Sequence, residues 1–222
     1  MSWAGFAAAF AAFFLTHSIP VRPAIKRRIS GVLGARGFLM SYSALSLAML
    51  GFLIWAAGQA PFVQLWPQML WQRHAAHLGM LSVCLIMAWS IARPNPFSFG
   101  GARNGRYDPS APGVTRYTRH PVLLALALWA GVHLLPNGDL AHIIMFGVLG
   151  GFAIAGRRLI DRRKARILGT AKWQALDAAR RAAPLIQAPR SPVWLVIRTA
   201  LGGVAFATLL WAHPYVIGVT AL

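Results

Sequence analysis

Glutamate is missing altogether from this 222-residue chain, and aspartate occurs only as Asp108, Asp139, Asp161 and Asp177. So few acids leave no carboxylate pair for glycoside chemistry and no H-E-x-x-H metal helix, and a phosphate-cradling P-loop is absent too. A serine triad is disfavoured, because no base and orienting acid stand together near a nucleophile along the chain. The single cysteine, Cys84, lies inside an apolar run. That rules out a disulfide framework and a Cys-based zinc site, and Cys84 reads as a small buried hydrophobe. No internal repeat or low-complexity linker interrupts the chain, so one membrane domain over 1–222 is expected.

What is present is apolar and basic. Hydrophobic residues make up 57% of the chain, and 22 lysines and arginines give a net charge of +18. On a soluble protein that charge would point to nucleic acid. Here the basic residues lie between apolar segments, so the partner is the lipid bilayer and no nucleic acid is expected. Apolar runs that mark spanning helices occur at Trp3–Ile19, Phe38–Ala57, Ala75–Ala92, Pro121–Pro136, Leu140–Gly156 and Val193–Ala212, the fourth short for a span. The expected fold class is all-α, a polytopic membrane bundle of about six transmembrane helices. The first run lacks a basic leader and a clear cleavage site, and reads as a retained span. "PNGD" at Pro136–Asp139 makes the fourth and fifth runs a tight helical hairpin.

The loops after spans one, three and five hold twenty of the 22 basic residues, and of the rest only Arg73 falls on the opposite side. Positive-inside logic then places those loops in the cytoplasm and both termini outside. The basic stretch 157–190 is punctuated by Leu159, Ile160, Ile167, Leu168, Trp173, Leu176 and Leu185, and is expected to lie along the inner leaflet.

Seven histidines carry most of the remaining chemistry. An ionisable side chain within a span is costly and marks a functional candidate, and neutral imidazole is a good ligand for haem iron. His74, His77 and His213 fall at outer helix ends, where interfacial packing suffices. His142 divides evenly between interface and support of a site. His17, in "LTHSIP", lies within the apolar reach of span one, and His133 follows "LALALWAGV". His120 precedes Pro121, a residue suited to a helix's first position, and stands beside Arg116 and Arg119. That trio suits propionates or a phosphate. At about 100° per residue, His120 and His133 point some 140° apart, so one ligand cannot easily take both.

"THSIPVRP" at Thr16–Pro23, "ARPNPFSFG" at Ala92–Gly100, "PGVTRYTRHP" at Pro112–Pro121 and "NGDLAH" at Asn137–His142 resemble the NnrU family of bacterial integral membrane proteins. The resemblance runs from span one to about Trp173. It implies a multi-pass protein of the bacterial inner (cytoplasmic) membrane, linked to nitrite and nitric oxide reduction. The same framework is similar to the ζ-carotene isomerases, which hold haem b between two histidines. That likeness implies His17 and His133 as axial ligands, with His120, Arg116 and Arg119 supporting the cofactor, and redox or isomerase activity. The isomerases carry a cysteine three residues before the second ligand; here Ala130 stands there, so a switch of iron ligand is not expected. At 1.5 Å per residue His17 lies ~7 Å and His133 ~21 Å from the inner boundary, which leaves His17 with His120 as the alternative pair by depth.

A more distant likeness joins "RHP" and "LGTAKWQALDAARRAAP" to isoprenylcysteine-type membrane methyltransferases. It implies S-adenosylmethionine over Arg119, His120 and the cytoplasmic loops, although the glutamate and tyrosines of that family's late segment are lacking. A third reading is a non-enzymatic assembly helper for denitrification enzymes. The expected partners beyond lipid are those enzymes or an electron donor. No residue is assigned a catalytic role from the sequence.

Overall fold

The computed structural model describes residues 1–189 and 191–220. Arg190, part of the expected basic segment, lies outside the described residues. Among the described residues the protein is all-α, with seven α-helices: α1 Trp3–Ser18, α2 Pro23–Gly58, α3 Leu70–Ser90, α4 Pro121–Leu134, α5 Leu140–Leu168, α6 Thr170–Ala182 and α7 Pro192–Val216. They form two compact units, one of 1–67 with 138–145, the other of 68–137 with 146–222.

In the first unit α1 packs on α2. Ser2 caps α1 by accepting the Gly5 amide at 3.1 Å. Phe6, Ala9 and Phe13 are buried at helical spacing, and the Phe13 ring stacks on His17 at 5.2 Å between centroids. From α2 the Tyr42 hydroxyl donates to the His17 carbonyl at 2.9 Å. The region after span one, read as a basic loop, is instead helical from Pro23 onward. Gly34 interrupts α2 with φ 70°, a left-handed conformation that favours glycine, so the basic turns and the apolar turns are two helical pieces joined at a kink. Hydropathy records only the second piece.

In the second unit α3 packs between α4 and α7. Small residues permit the approach. A methyl at Gly79 would run into Val132, and one at Gly202 would lie 3.3 Å from the Cys84 carbonyl. Trp89 Nε1 donates to Thr199 Oγ1 at 3.1 Å, and Arg198 of α7 donates to the Ala88 and Ile91 carbonyls at the end of α3. The expected hairpin is present here as antiparallel packing. Ala130 faces Gly150, Leu123 faces Gly156, and the rings of Trp129 and His133 meet Phe146.

Three of the described helices, α2, α5 and α7, are long and apolar enough to cross a membrane; α1 and α4 are apolar but shorter. Only 6% of the most apolar window of α7 is buried, with Trp194, Leu201, Val204 and Trp211 exposed. An apolar surface of that extent has no place in water and suits a lipid environment.

Candidate functional site

The "ARPNPFSFG" motif forms a compact loop rather than a solvent-swept one. Asn95 organises it: its backbone amide donates to Asn104 Oδ1 at 2.9 Å, its Oδ1 accepts the Phe97 amide at 3.0 Å, and its Nδ2 donates to the Arg119 carbonyl at 3.0 Å. Phe97 is fully buried, in edge contact with Tyr107 and Trp173. Two short 3-10 turns, Asn104–Arg106 and Gly113–Arg116, carry the chain to His120, which precedes α4.

At this point the scarce acids gather. Arg119 grips Asp161 of α5 with two nitrogens, at 3.1 and 2.8 Å, and donates to Asp177 of α6 at 2.9 Å. The Arg119 guanidinium also lies over the Trp173 ring at 5.1 Å. Asp177 takes Arg180 on one oxygen, at 2.9 and 2.7 Å, and Arg181 on the other. Arg180 Nη1 donates to the Thr115 and Arg116 carbonyls, both at 2.8 Å. The fully buried residues of α6 are therefore Asp177 and Arg180, and Trp173 packs inward beside them on Phe97 and Arg119. Arg116 itself donates to the Ala183 carbonyl at 2.6 Å.

His120 is 3% exposed and bonded through both ring nitrogens, Nε2 to Asp161 Oδ1 at 2.9 Å and Nδ1 to Ser98 Oγ at 3.1 Å. The expectation that no base, acid and serine come together is thereby corrected: residues 22 and 41 positions from His120 meet on it. The order is nevertheless not that of a nucleophile array. Ser98 is 2% exposed, and the two ring nitrogens are exchanged relative to a serine triad, with the hydroxyl on Nδ1 and the carboxylate on Nε2.

Electrostatics follow from this packing. Burial lowers the His120 pKa and outweighs the opposing pull of Asp161. Burial alone would raise Asp177, but hydrogen bonds from Arg181, Arg180 and Arg119 hold it below the usual carboxylate range. Arg119 loses solvation too, and the two aspartates still raise it. The cluster is thus an ionised, hydrogen-bonded clasp around a neutral imidazole.

An open cleft of about 740 Å³ adjoins the clasp. Tyr117–His120, Arg180 and residues of α5 from Gly151 to Arg162 line it. Of the sequence candidates, Arg119 and His120 meet at this cleft, and Arg116 is not among its lining residues. His17 lies in the first unit, with Phe13 stacked on it and the Tyr42 ring 5.7 Å away. His133, in the second unit, lines a separate cavity of about 120 Å³ with His77, Met80 and His213. Its Nδ1 lies 2.8 Å from the Trp129 carbonyl, which can only accept. Nδ1 therefore carries the proton, and in the neutral ring the lone pair is on Nε2, the tautomer of a metal-ligating histidine. This donor chemistry fits the haem iron implied by the resemblance. His142 pairs with Asp139, and His213 Nδ1 lies 2.7 Å from the Val219 carbonyl.

Asp161, Asp177, Arg180, Asn95 and Ser98 were not singled out from the sequence. One signal was available: two of only four acids fall within the most basic stretch, where a carboxylate is bound to be claimed by several guanidiniums.

No curated protein and no solved structure matches the chain. The family model described as NnrU protein matches residues 5–221, so a chain with these motifs, these apolar helices and this clasp belongs to the NnrU family.

Proposed function

We propose that this NnrU protein is a multi-pass protein of the bacterial inner membrane that holds haem b through His17 and His133 and serves a redox step linked to denitrification. Six spans, with the basic loops cytoplasmic and both termini outside, complete the reading; the charge asymmetry of the loops supports it. The observation that carries the haem assignment is the His133 tautomer, with Nδ1 committed to the Trp129 carbonyl and Nε2 left with the lone pair. Two imidazole ligands leave haem iron suited to one-electron transfer. His133 contributes a ligand nitrogen fixed by its own helix, and Trp129 and Phe146 flank the ring and limit water around it. His17, set against Phe13 and Tyr42, contributes the second imidazole in a similarly apolar setting.

The visible spectrum of detergent-purified protein, expressed with ample haem, tests this. A Soret band with α and β bands on reduction is expected, altered in both His17→Ala and His133→Ala. Colourless protein sinks the reading. A normal spectrum in both variants, with loss in His120→Ala, transfers the assignment to His17 and His120.

S-adenosylmethionine is the second reading, for which the cleft at His120 supplies a volume. Its charge argues the other way. The cofactor carries a sulfonium and an amine against one carboxylate, whereas the cleft is lined by five arginines and a single aspartate. Saturable binding of this cofactor to colourless protein would reverse that judgement. Co-purification of a reductase, with indifference to alanine at all three histidines, would instead favour the assembly helper.

A further inference from the structure

We propose that the cleft beside the clasp is a binding site for a phosphate-bearing amphiphile, its phosphate held by Arg157, Arg158 and Arg162 and its apolar part laid on Ile154 and Ala155. The inference is independent of haem binding.

Three observations carry it. First, the charges are unequal. Asp161 is the only carboxylate lining the cleft, and Arg119 and His120 have already engaged it. No ion pair among the described residues reaches Arg157, Arg158 or Arg162, so three guanidiniums face the cleft without a protein counter-ion. Arginine clusters of this kind recognise phosphate through paired N–H donors. Second, the lining changes character along a single helix face. Gly151, Ile154 and Ala155 belong to the apolar turns of α5, and Arg158 and Arg162 continue the same face at spacings of three and four. A ligand lying along this face meets hydrocarbon and then cation within about two turns. Third, the cleft has room. It measures about 740 Å³, Ile154 is 52% exposed, and a side chain added at Gly151 would meet nothing. The clasp then has a physical role: it braces α5 against the start of α4 and against α6, so the arginine face is held in place without being neutralised.

Calorimetric titration of the full-length protein in non-ionic detergent tests the site, with dioctanoyl phosphatidate, dioctanoylglycerol and inorganic phosphate as probes. Phosphatidate is expected to bind saturably and dioctanoylglycerol not at all. Arg158→Gln with Arg162→Gln should weaken phosphatidate by about tenfold or more. Arg163→Gln with Lys172→Gln removes equal charge at positions that do not line the cleft and should leave binding unchanged. Ala155→Trp fills the apolar floor without altering charge, and should weaken phosphatidate while sparing inorganic phosphate. If inorganic phosphate binds as tightly and competes, the site stands and its ligand is the free anion. Equal losses in the two charge pairs, binding of dioctanoylglycerol, or no saturable binding of either phosphate probe overturns the proposal.

Discussion

The two ends of α4 carry the same residue type under opposite conditions. At its start His120 is held at both nitrogens by side chains from two other segments, in a network that ties α5 and α6 to the preceding loop. Near its end His133 is held at one nitrogen by a carbonyl of its own helix, and its other partners are rings. The first arrangement uses up the imidazole's bonding capacity and makes it part of the frame. The second orients the ring and leaves a lone pair. Thirteen positions along the chain thus separate a brace from a candidate ligand.

The largest effect should come from removing the brace's centre. Asp177→Ala leaves the buried Arg180 without its carboxylate, frees Arg181 and leaves Arg119 with Asp161 alone, at a cost of about 3–5 kcal/mol. Thermal unfolding of the detergent-solubilised protein, followed by circular dichroism, measures it. Asp161→Asn should cost about 1–3 kcal/mol, because His120 and Arg119 lose an ionised acceptor while Arg119 keeps Asp177. If the two substitutions cost the same, Asp177 is not the centre of the network.

Acidification asks the same question without a mutation. Burial holds folded His120 below the ordinary histidine pKa. Between its folded and ordinary values the unfolded chain binds the extra proton, so stability is full above the ordinary value and declines as pH falls through it. Unfolding temperature should therefore drop as pH falls from about 7 to about 5. His120→Asn should flatten that part of the curve, and an unchanged slope would remove His120 from the account. At the other end of α4, His133→Gln should cost only about 1 kcal/mol, one intrahelical hydrogen bond, while altering any haem spectrum. A loss of stability as large as that of Asp177→Ala would show that His133 is a brace as well, and the contrast between the two ends would fail.

The ends of α1, α3, α4 and α7 were legible from hydropathy and from proline to within a few residues. Pro121 and Pro192 open helices where proline's fixed φ suits the first turn, and Leu140 follows the "PNGD" turn. The start of α2, the extension of α5 to Leu168 and the polar burial of α6 were not, because basic helical turns resemble basic loops on a scale that reads only apolarity. The candidates were legible as residue types. Nothing in the spacing of Ser98, His120 and Asp161 foretold that they would touch.

Composition and order alone were enough for an all-α chain with apolar helices, a one-sided distribution of basic residues, and membership of the NnrU family. Those properties are sums over many residues or matches along the chain, and they survive ignorance of any one contact. Which guanidinium takes which carboxylate was decided only by tertiary structure. Four aspartates stood before 22 cations, and burial together with hydrogen-bond geometry selected Arg119, Arg180 and Arg181 for Asp177 and left Arg157, Arg158 and Arg162 facing the cleft.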